Sequence, residues 1–183
     1  SRSSTRAYET TYAAHVLGLV GSISDYTDEL KEQGYKRSDT IGISGAEAAF
    51  EEYLRGSDGK RVTSVNSDGK ITGEYYKVEP RSGYTVELTL DLDLQQSVED
   101  TLAAKVEQLN KKDGLTNRGA AAAVIKVGTG EILALASCPT YDLSTYGQDF
   151  TELSADPAKP FQNRATSTPY APGSTLKPAT AVA

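Results

Sequence analysis

The sequence predicts an α+β fold of short helices and antiparallel hairpins, on three observations. Two Ser-Asp-Gly-Lys tetrapeptides, 57–60 and 67–70, carry the Asp-Gly signal of tight hairpin turns. Leu94, Val98, Leu102, Val106 and Leu109 follow each other at three- and four-residue spacing, which is one face of a long helix. Two apolar runs, Ala120 to Val127 and Glu131 to Ala136, are joined by Gly128-Thr129-Gly130, the pattern of a β-hairpin.

The other elements fall between these anchors. Tyr12 to Gly21 is apolar, and Gly18 and Gly21 suit a short helix that ends and runs into a strand. Thr27 to Gln33 is a short polar helix capped by Ser24 or Thr27 and stopped at Gly34. Ser44, with Glu47 three residues on, has the form of a capping box for one helix over 45–54, stopped at Gly56. Val16, Leu17, Ile43, Phe50, Tyr53 and Leu54 are the expected core of this half. Val62, Val65 and Ile71 to Val78 form short antiparallel strands around the Asp-Gly turns. Tyr84, Val86, Leu88 and Leu90 alternate at period two and predict a half-buried strand. The long helix starts at Asp91 or Asp93, carries Lys111-Lys112 at the end that favours cations, and stops at Gly114. The first strand of the last hairpin is expected to be buried on both faces. Residues 138–172 read as one irregular loop, and Ser174 opens a final helix.

Composition removes several functions. A balance of 19 Lys and Arg against 25 Asp and Glu leaves a net charge of −6, with no basic run to bind nucleic acid. No stretch is apolar enough to span a membrane. With no initiator Met, the sequence is expected to be an excised or processed piece of a longer chain. One Cys and one His leave no internal disulfide and no Cys/His zinc set. A catalytic triad or dyad would have to use His15 or Cys138. The plainer reading, a small buried thiol and an ordinary histidine, is preferred.

The chemistry lies at Tyr170 to Lys177, Y-A-P-G-S-T-L-K. Ser174 and Lys177 are three apart, so on a helix the amine and the hydroxyl share a face. Pro172-Gly173 sets Ser174 at the helix start, where free amides favour developing negative charge. A lysine there acts as a base only if a dry or cationic surrounding lowers its pKa. The tetrapeptide S-x-x-K alone says little. It also occurs at Ser57/Lys60 and Ser67/Lys70, where Asp-Gly makes turns rather than a helix. A capping serine beside a solvated lysine is the competing reading of Ser174/Lys177.

The surrounding sequence decides between them. Leu88 to Gln95 (LTLDLDLQ), Gly119 to Asp142, Asn163-Arg164-Ala165 and then Y-x-P-G-S-T-L-K resemble, in that order, the start of a penicillin-binding transpeptidase domain. Arg6-Ala7-Tyr8, then AAHVLG, then Ile41 to Gly59 resemble the pedestal, or dimerisation, domain of the class B monofunctional penicillin-binding proteins. Glu9 and Thr11 depart from the Pro and Gly that the family has there.

The resemblance implies a pedestal at 1–83 and the first part of a serine β-lactamase-like α/β domain at 84–183. It implies Ser174 as the nucleophile and Lys177 as the general base of a peptidoglycan D,D-transpeptidase working through an acyl-serine intermediate. The implied partners are D-Ala-D-Ala stem peptides, β-lactams, other cell-wall synthesis proteins and a second copy of the chain, with no nucleic acid, metal or organic cofactor. Arg6 and Glu47 are expected to pair and fix the pedestal. The implied location is the outer face of the bacterial cytoplasmic membrane, reached through an N-terminal anchor helix. The family's S-x-N and K-T/S-G motifs, which follow the nucleophile far downstream, do not occur after Ser174 in these 183 residues. By themselves the residues are therefore expected neither to turn over D-Ala-D-Ala nor to trap β-lactam, because one lost oxyanion donor alone costs about 10²–10³ in rate. The alternative function is a non-catalytic interaction module of a cell-wall protein. A β-lactamase or sensor relative fits less well, because of the long pedestal.

Overall fold

The computed structural model describes residues 7–171 and 173–182. These divide into two compact units: residues 16–88, and residues 7–15 together with 89–182. The architecture is α+β throughout.

The chain enters the first unit through helix α1 (Ala14–Leu17) and continues into strand β1 (Val20–Ser22). Helix α2 (Asp28–Glu32) is capped by Thr27, whose hydroxyl accepts from Leu30 N at 3.3 Å. Strand β2 (Thr40–Gly42) pairs antiparallel with β1, Val20 opposite Gly42. The expected helix over 45–54 is broken in two, α3 (Gly45–Ala49) and α4 (Glu51–Leu54), with the non-helical Phe50 between them. Ser44 stands at the N-cap of α3 but its side chain makes no capping bond. Its hydroxyl accepts from Leu19 N at 3.0 Å instead, which ties the strand region to the helix start.

Polar contacts then organise the unit. Arg55 stacks on the Tyr35 ring at 3.4 Å and donates to the carbonyls of Gln33 and Gly34, the open C-terminal end of α2. Tyr35 donates to Glu51, whose other oxygen accepts from Gly42 N. Burial raises the Tyr35 pKa, and the neighbouring Glu51 adds to that. The expected apolar core is accordingly wrong in part: Ile43 is 52% and Tyr53 55% exposed, while Leu19, Ile23 and Tyr35 are buried.

Strands β3 (Lys60–Val65) and β4 (Ile71–Val78) form a long two-stranded ribbon, with Val62 opposite Tyr75. Tyr84 to Leu90 is not a strand. Tyr84 N does bond Tyr53 O, but no ladder forms over the segment, and Tyr84 is 77% exposed. An alternating pattern needs a partner strand to become a ladder.

In the second unit, helix α5 (Leu92–Asp113) starts at Asp91, whose carboxylate accepts from Leu94 N, and ends at Gly114 with φ +65. It packs on strands β5 (Ala120–Ile125) and β6 (Ile132–Cys138), which pair antiparallel with Ala122 opposite Ala136. The more buried strand is β6; β5 is half-buried and its Ile125 is exposed, against expectation. A further helix, α6 (Tyr146–Ala155), occupies part of the segment expected to be irregular. Its Tyr146 and Phe150 join Tyr141 and Phe161 in an aromatic cluster with ring centroids 5.0–6.0 Å apart. The chain closes with a 3₁₀ turn, Gly173–Leu176, and helix α7 (Lys177–Val182). No helix among the described residues is long and apolar enough to cross a membrane.

Candidate functional site

Ser174 is the second residue of the 3₁₀ turn, and Lys177 is the first residue of α7; both are exposed. Ser174 and Lys177 thus stand three residues apart on either side of the junction between the 3₁₀ turn and α7. Gly173 enters the turn at φ +53, a conformation that glycine adopts without strain. Pro178 explains why the helix restarts at Lys177. Proline has no N–H to give to the carbonyl four residues back, that of Ser174, and is tolerated in a first helical turn. The change from the 3₁₀ turn to α7 therefore falls between Ser174 and Lys177.

The unit that carries this turn is held by side-chain contacts that the sequence reading missed. Gln95, fully buried on α5, acts as a side-chain peptide group. Its Nε2 donates to Leu135 O at 2.9 Å, and its Oε1 accepts from Leu135 N at 2.7 Å. It also donates to Glu99 at 2.7 Å, and the same Glu99 oxygen accepts from Ala13 N at 2.9 Å. Residues 89–95 thus line the outer edge of β6, with Asp91 N on Leu133 O and Thr89 Oγ1 on Ile132 O.

The Asn163-Arg164-Ala165 stretch is the second feature. Arg164, only 8% exposed, donates through Nη1 to the carbonyls of Lys159 (3.1 Å) and Gln162 (3.4 Å), and through Nη2 to that of Ala158. Gly119 leaves the room for it: a Cβ there would lie 2.0 Å from Arg164 Nε. Asn163 Oδ1 accepts from Ser137 Oγ and from Ala165 N, and its Nδ2 donates to His15 O at 3.4 Å. His15 Nε2 lies 2.7 Å from Pro160 O, with the Tyr141 ring edge-on at 5.1 Å. That bond fixes Nε2 as the protonated nitrogen.

Burial lowers the His15 pKa; the bond to Pro160 works against this, and the Arg164 charge adds to the lowering. Burial pushes the Tyr141 hydroxyl up to about 12 and raises the Cys138 thiol as well. Cys138 is therefore an unreactive buried thiol. Among the described residues no cluster of His, Cys, Asp and Glu could hold a metal.

Of the pedestal pair, Glu47 lies in the first turn of α3, half-buried, with Oε2 screened from solvent. Its carbonyl occupies the space over Gly42. Arg6 lies outside the described residues. A cleft of about 640 Å³ at the C-terminal end of α5, lined by Val106, Asn110, Leu115 and Arg118 among others, includes no residue of the Ser174 turn.

Comparison with known proteins places this geometry. Residues 1–88 match the penicillin-binding protein dimerisation domain, and residues 120–183 match the penicillin-binding protein transpeptidase domain. The chain is similar to the peptidoglycan D,D-transpeptidase MrdA of Escherichia coli K12, at 35% identity over 178 residues, covering 92% of this chain and 26% of that protein. It is also similar to penicillin-binding protein 3 of Bacillus subtilis 168, at 33% identity, covering 90% of this chain and 23% of that protein. Among solved structures, a chain of a peptidoglycan synthase complex that coordinates polymerization and crosslinking aligns with a TM-score of 0.76 at 35% identity, over 95% of this chain and 31% of that one. The penicillin-binding protein PBP2 of Helicobacter pylori, solved in complex with MreC, aligns with a TM-score of 0.69 at 26% identity, over 94% and 30%. The chain spans about a quarter of the length of the curated relatives it matches. It belongs to the class B penicillin-binding proteins and comprises a dimerisation domain followed by the first part of a transpeptidase domain.

Proposed function

We propose that this sequence is the pedestal and the nucleophile-bearing start of a peptidoglycan D,D-transpeptidase, with the pedestal at 1–83 and the catalytic domain beginning at 84. In this reading Ser174 Oγ attacks the penultimate D-Ala carbonyl of a stem peptide, and its proton passes to Lys177 Nζ. The C–N bond to the terminal D-Ala breaks, and that amine leaves with the proton. A second stem peptide's amine then attacks the acyl-serine, which restores the hydroxyl and forms the cross-link. The Ser174 N–H is one oxyanion donor. A β-lactam acylates the same oxygen through its strained amide.

The observation that carries the reading is the placement of Ser174 in a 3₁₀ turn and of Lys177, three residues on, at the first residue of α7, in a segment that matches the transpeptidase domain. The complete pocket needs the residues that follow in the relatives, so activity is proposed for the protein in which this sequence is joined to them. Two structural neighbours are, by their descriptions, assembled with other proteins, one in a synthase complex and one with MreC. That supports a pedestal that docks other cell-wall synthesis proteins; a place at the outer face of the bacterial membrane, and an orientation set by Arg6 and Glu47, belong to the same proposal.

The test is labelling of the full-length protein with a fluorescent penicillin, followed by peptide mapping. The label should sit on the tryptic peptide that starts at Ala165 and disappear in Ser174→Ala. Label on another peptide would sink the assignment.

A further inference from the structure

We propose that Arg164 and His15 are positioning residues for the Ser174 turn, a proposal that rests on the transpeptidase reading above. The loop at 156–168 has no regular structure and includes Lys159 at φ +51, where a non-glycine residue is strained. Such a loop keeps one shape only if something other than a backbone ladder satisfies its carbonyls. Here two side chains do so. Arg164 takes the carbonyls of Ala158, Lys159 and Gln162, and His15 takes that of Pro160. Four carbonyls within five residues therefore converge on one buried guanidinium and one imidazole.

The order runs on toward the nucleophile. Asn163 O accepts from Ser167 N at 2.9 Å, and Gln162 Nε2 donates to Thr168 Oγ1 at 2.8 Å. Only residues 169–172 separate this pinned loop from the Ser174 turn. His15 reaches the loop from the N-terminal segment 7–15, nearly 150 residues away in sequence, which clusters with the nucleophile's unit. Acyl transfer is sensitive to this scale of support, since a 1 Å misplacement costs about a hundredfold.

The experiment uses the full-length protein with two readouts, the rate of acylation by fluorescent penicillin and amide exchange by mass spectrometry. Arg164→Lys leaves one ammonium in place of the guanidinium fork and cannot gather three carbonyls. It should slow acylation by about tenfold or more, with little change in initial non-covalent affinity. His15→Leu should do the same. His15→Gln, whose Nε2 can still donate to Pro160, should recover to within about threefold of wild type, a rescue that space-filling alone would not give. Equal rates for His15→Leu and His15→Gln, or a wild-type rate for Arg164→Lys, would overturn the proposal. If the wild type takes no label at Ser174, the transpeptidase reading fails and amide exchange decides alone. Arg164→Lys should then speed exchange at Ser167 by about tenfold or more while leaving Leu135, held by Gln95, unchanged. Unaltered exchange at Ser167 rejects the positioning role.

Discussion

Ser67–Lys70 and Ser174–Lys177 have the same end residues three apart, yet they fold into different structures. The first is the tip of the β3–β4 ribbon. Asn66 holds it locally, its Oδ1 accepting from Asp68 N and Lys70 N, while Asp68-Gly69 supply the turn, with Gly69 at φ +76. The second is a 3₁₀ turn leading into a helix, approached through a loop held by its own Arg164 and by His15, nearly 150 residues away in sequence. A reverse turn needs only its own four or five residues. In the function proposed above, a helix-start serine that is to react needs support beyond its own turn, and that is the difference between the two tetrapeptides.

The comparison breaks most directly at the serines. Ser174→Ala should reduce penicillin labelling of the full-length protein to background, because no other oxygen sits where the acyl bond forms. Ser67→Ala and Ser57→Ala should label as wild type. Ser57 exchanges backbone hydrogen bonds with Arg81, so its surroundings are a strand bridge rather than a helix start. Loss of label in Ser67→Ala would mean that the two tetrapeptides are not functionally distinct.

The next largest effect should come from the long-range side. Gln95→Ala removes three hydrogen bonds at a fully buried site and strands the Leu135 N–H and C=O. We expect a loss of about 2–4 kcal/mol, read from urea unfolding of the 183-residue chain. A loss below about 1 kcal/mol would show that water replaces the amide freely.

What the sequence made legible follows the same division. Features with a local cause were readable: the ribbon turned at Asp68-Gly69, the Gly-Thr-Gly hairpin, and the α5 stripe with its Asp91 start and Gly114 stop; the turn expected at Asp58-Gly59 does not form, because Ser57 bridges to Arg81 and the chain runs straight on into β3. Helix α6 had a readable signal that was overlooked, Tyr146, Phe150 and Leu153 at four- and three-residue spacing. The 45–54 helix looked continuous because nothing in its apolar spacing records that Ser44 bonds Leu19 and that Phe50 leaves the helical region. Gln95, Glu99 and Arg164 were illegible for a physical reason. Polar side chains are normally exposed, and only their folded partners reveal that these are buried: Leu135 for Gln95, Ala13 for Glu99, and the folded-back carbonyls of its own loop for Arg164. Of the site, the Ser174/Lys177 spacing was visible, but the change from a 3₁₀ turn to α7 between them and the clamp on the preceding loop were not.

On the local side the expected effect is smaller. Asn66→Ala removes two side-chain hydrogen bonds at an exposed turn, while Asn66 N to Lys70 O and Gly69 N to Asn66 O remain. The cost should be about 0.5–1.5 kcal/mol in the same urea assay, with penicillin labelling unchanged. A labelling defect in Asn66→Ala would show that the ribbon tip communicates with the nucleophile.

The smallest expected effect is a pH dependence that only the long-range side should feel. His15 is the one histidine in the chain, and its pKa in the folded protein is lowered, chiefly by burial, with the Pro160 bond offsetting part of that. The folded state therefore resists the proton that the unfolded chain accepts near pH 6.5. As the pH falls through 6.5, the unfolded state binds more protons than the folded one, so stability declines. Below the folded-state pKa both states are protonated and the decline stops. Between pH 7.5 and 5.5 wild type should lose stability that His15→Gln retains, because the glutamine keeps a donor for Pro160 and has nothing to titrate. Carboxylates titrate lower, and the terminal amine is common to both proteins, so the difference between their urea midpoints isolates the histidine. A midpoint gap that stays constant across this range would mean that His15 is as easily protonated folded as unfolded. The imidazole would then be loosely held, and its contact with Pro160 would not be the fixed pin that sets the Ser174 approach apart from the ribbon tip.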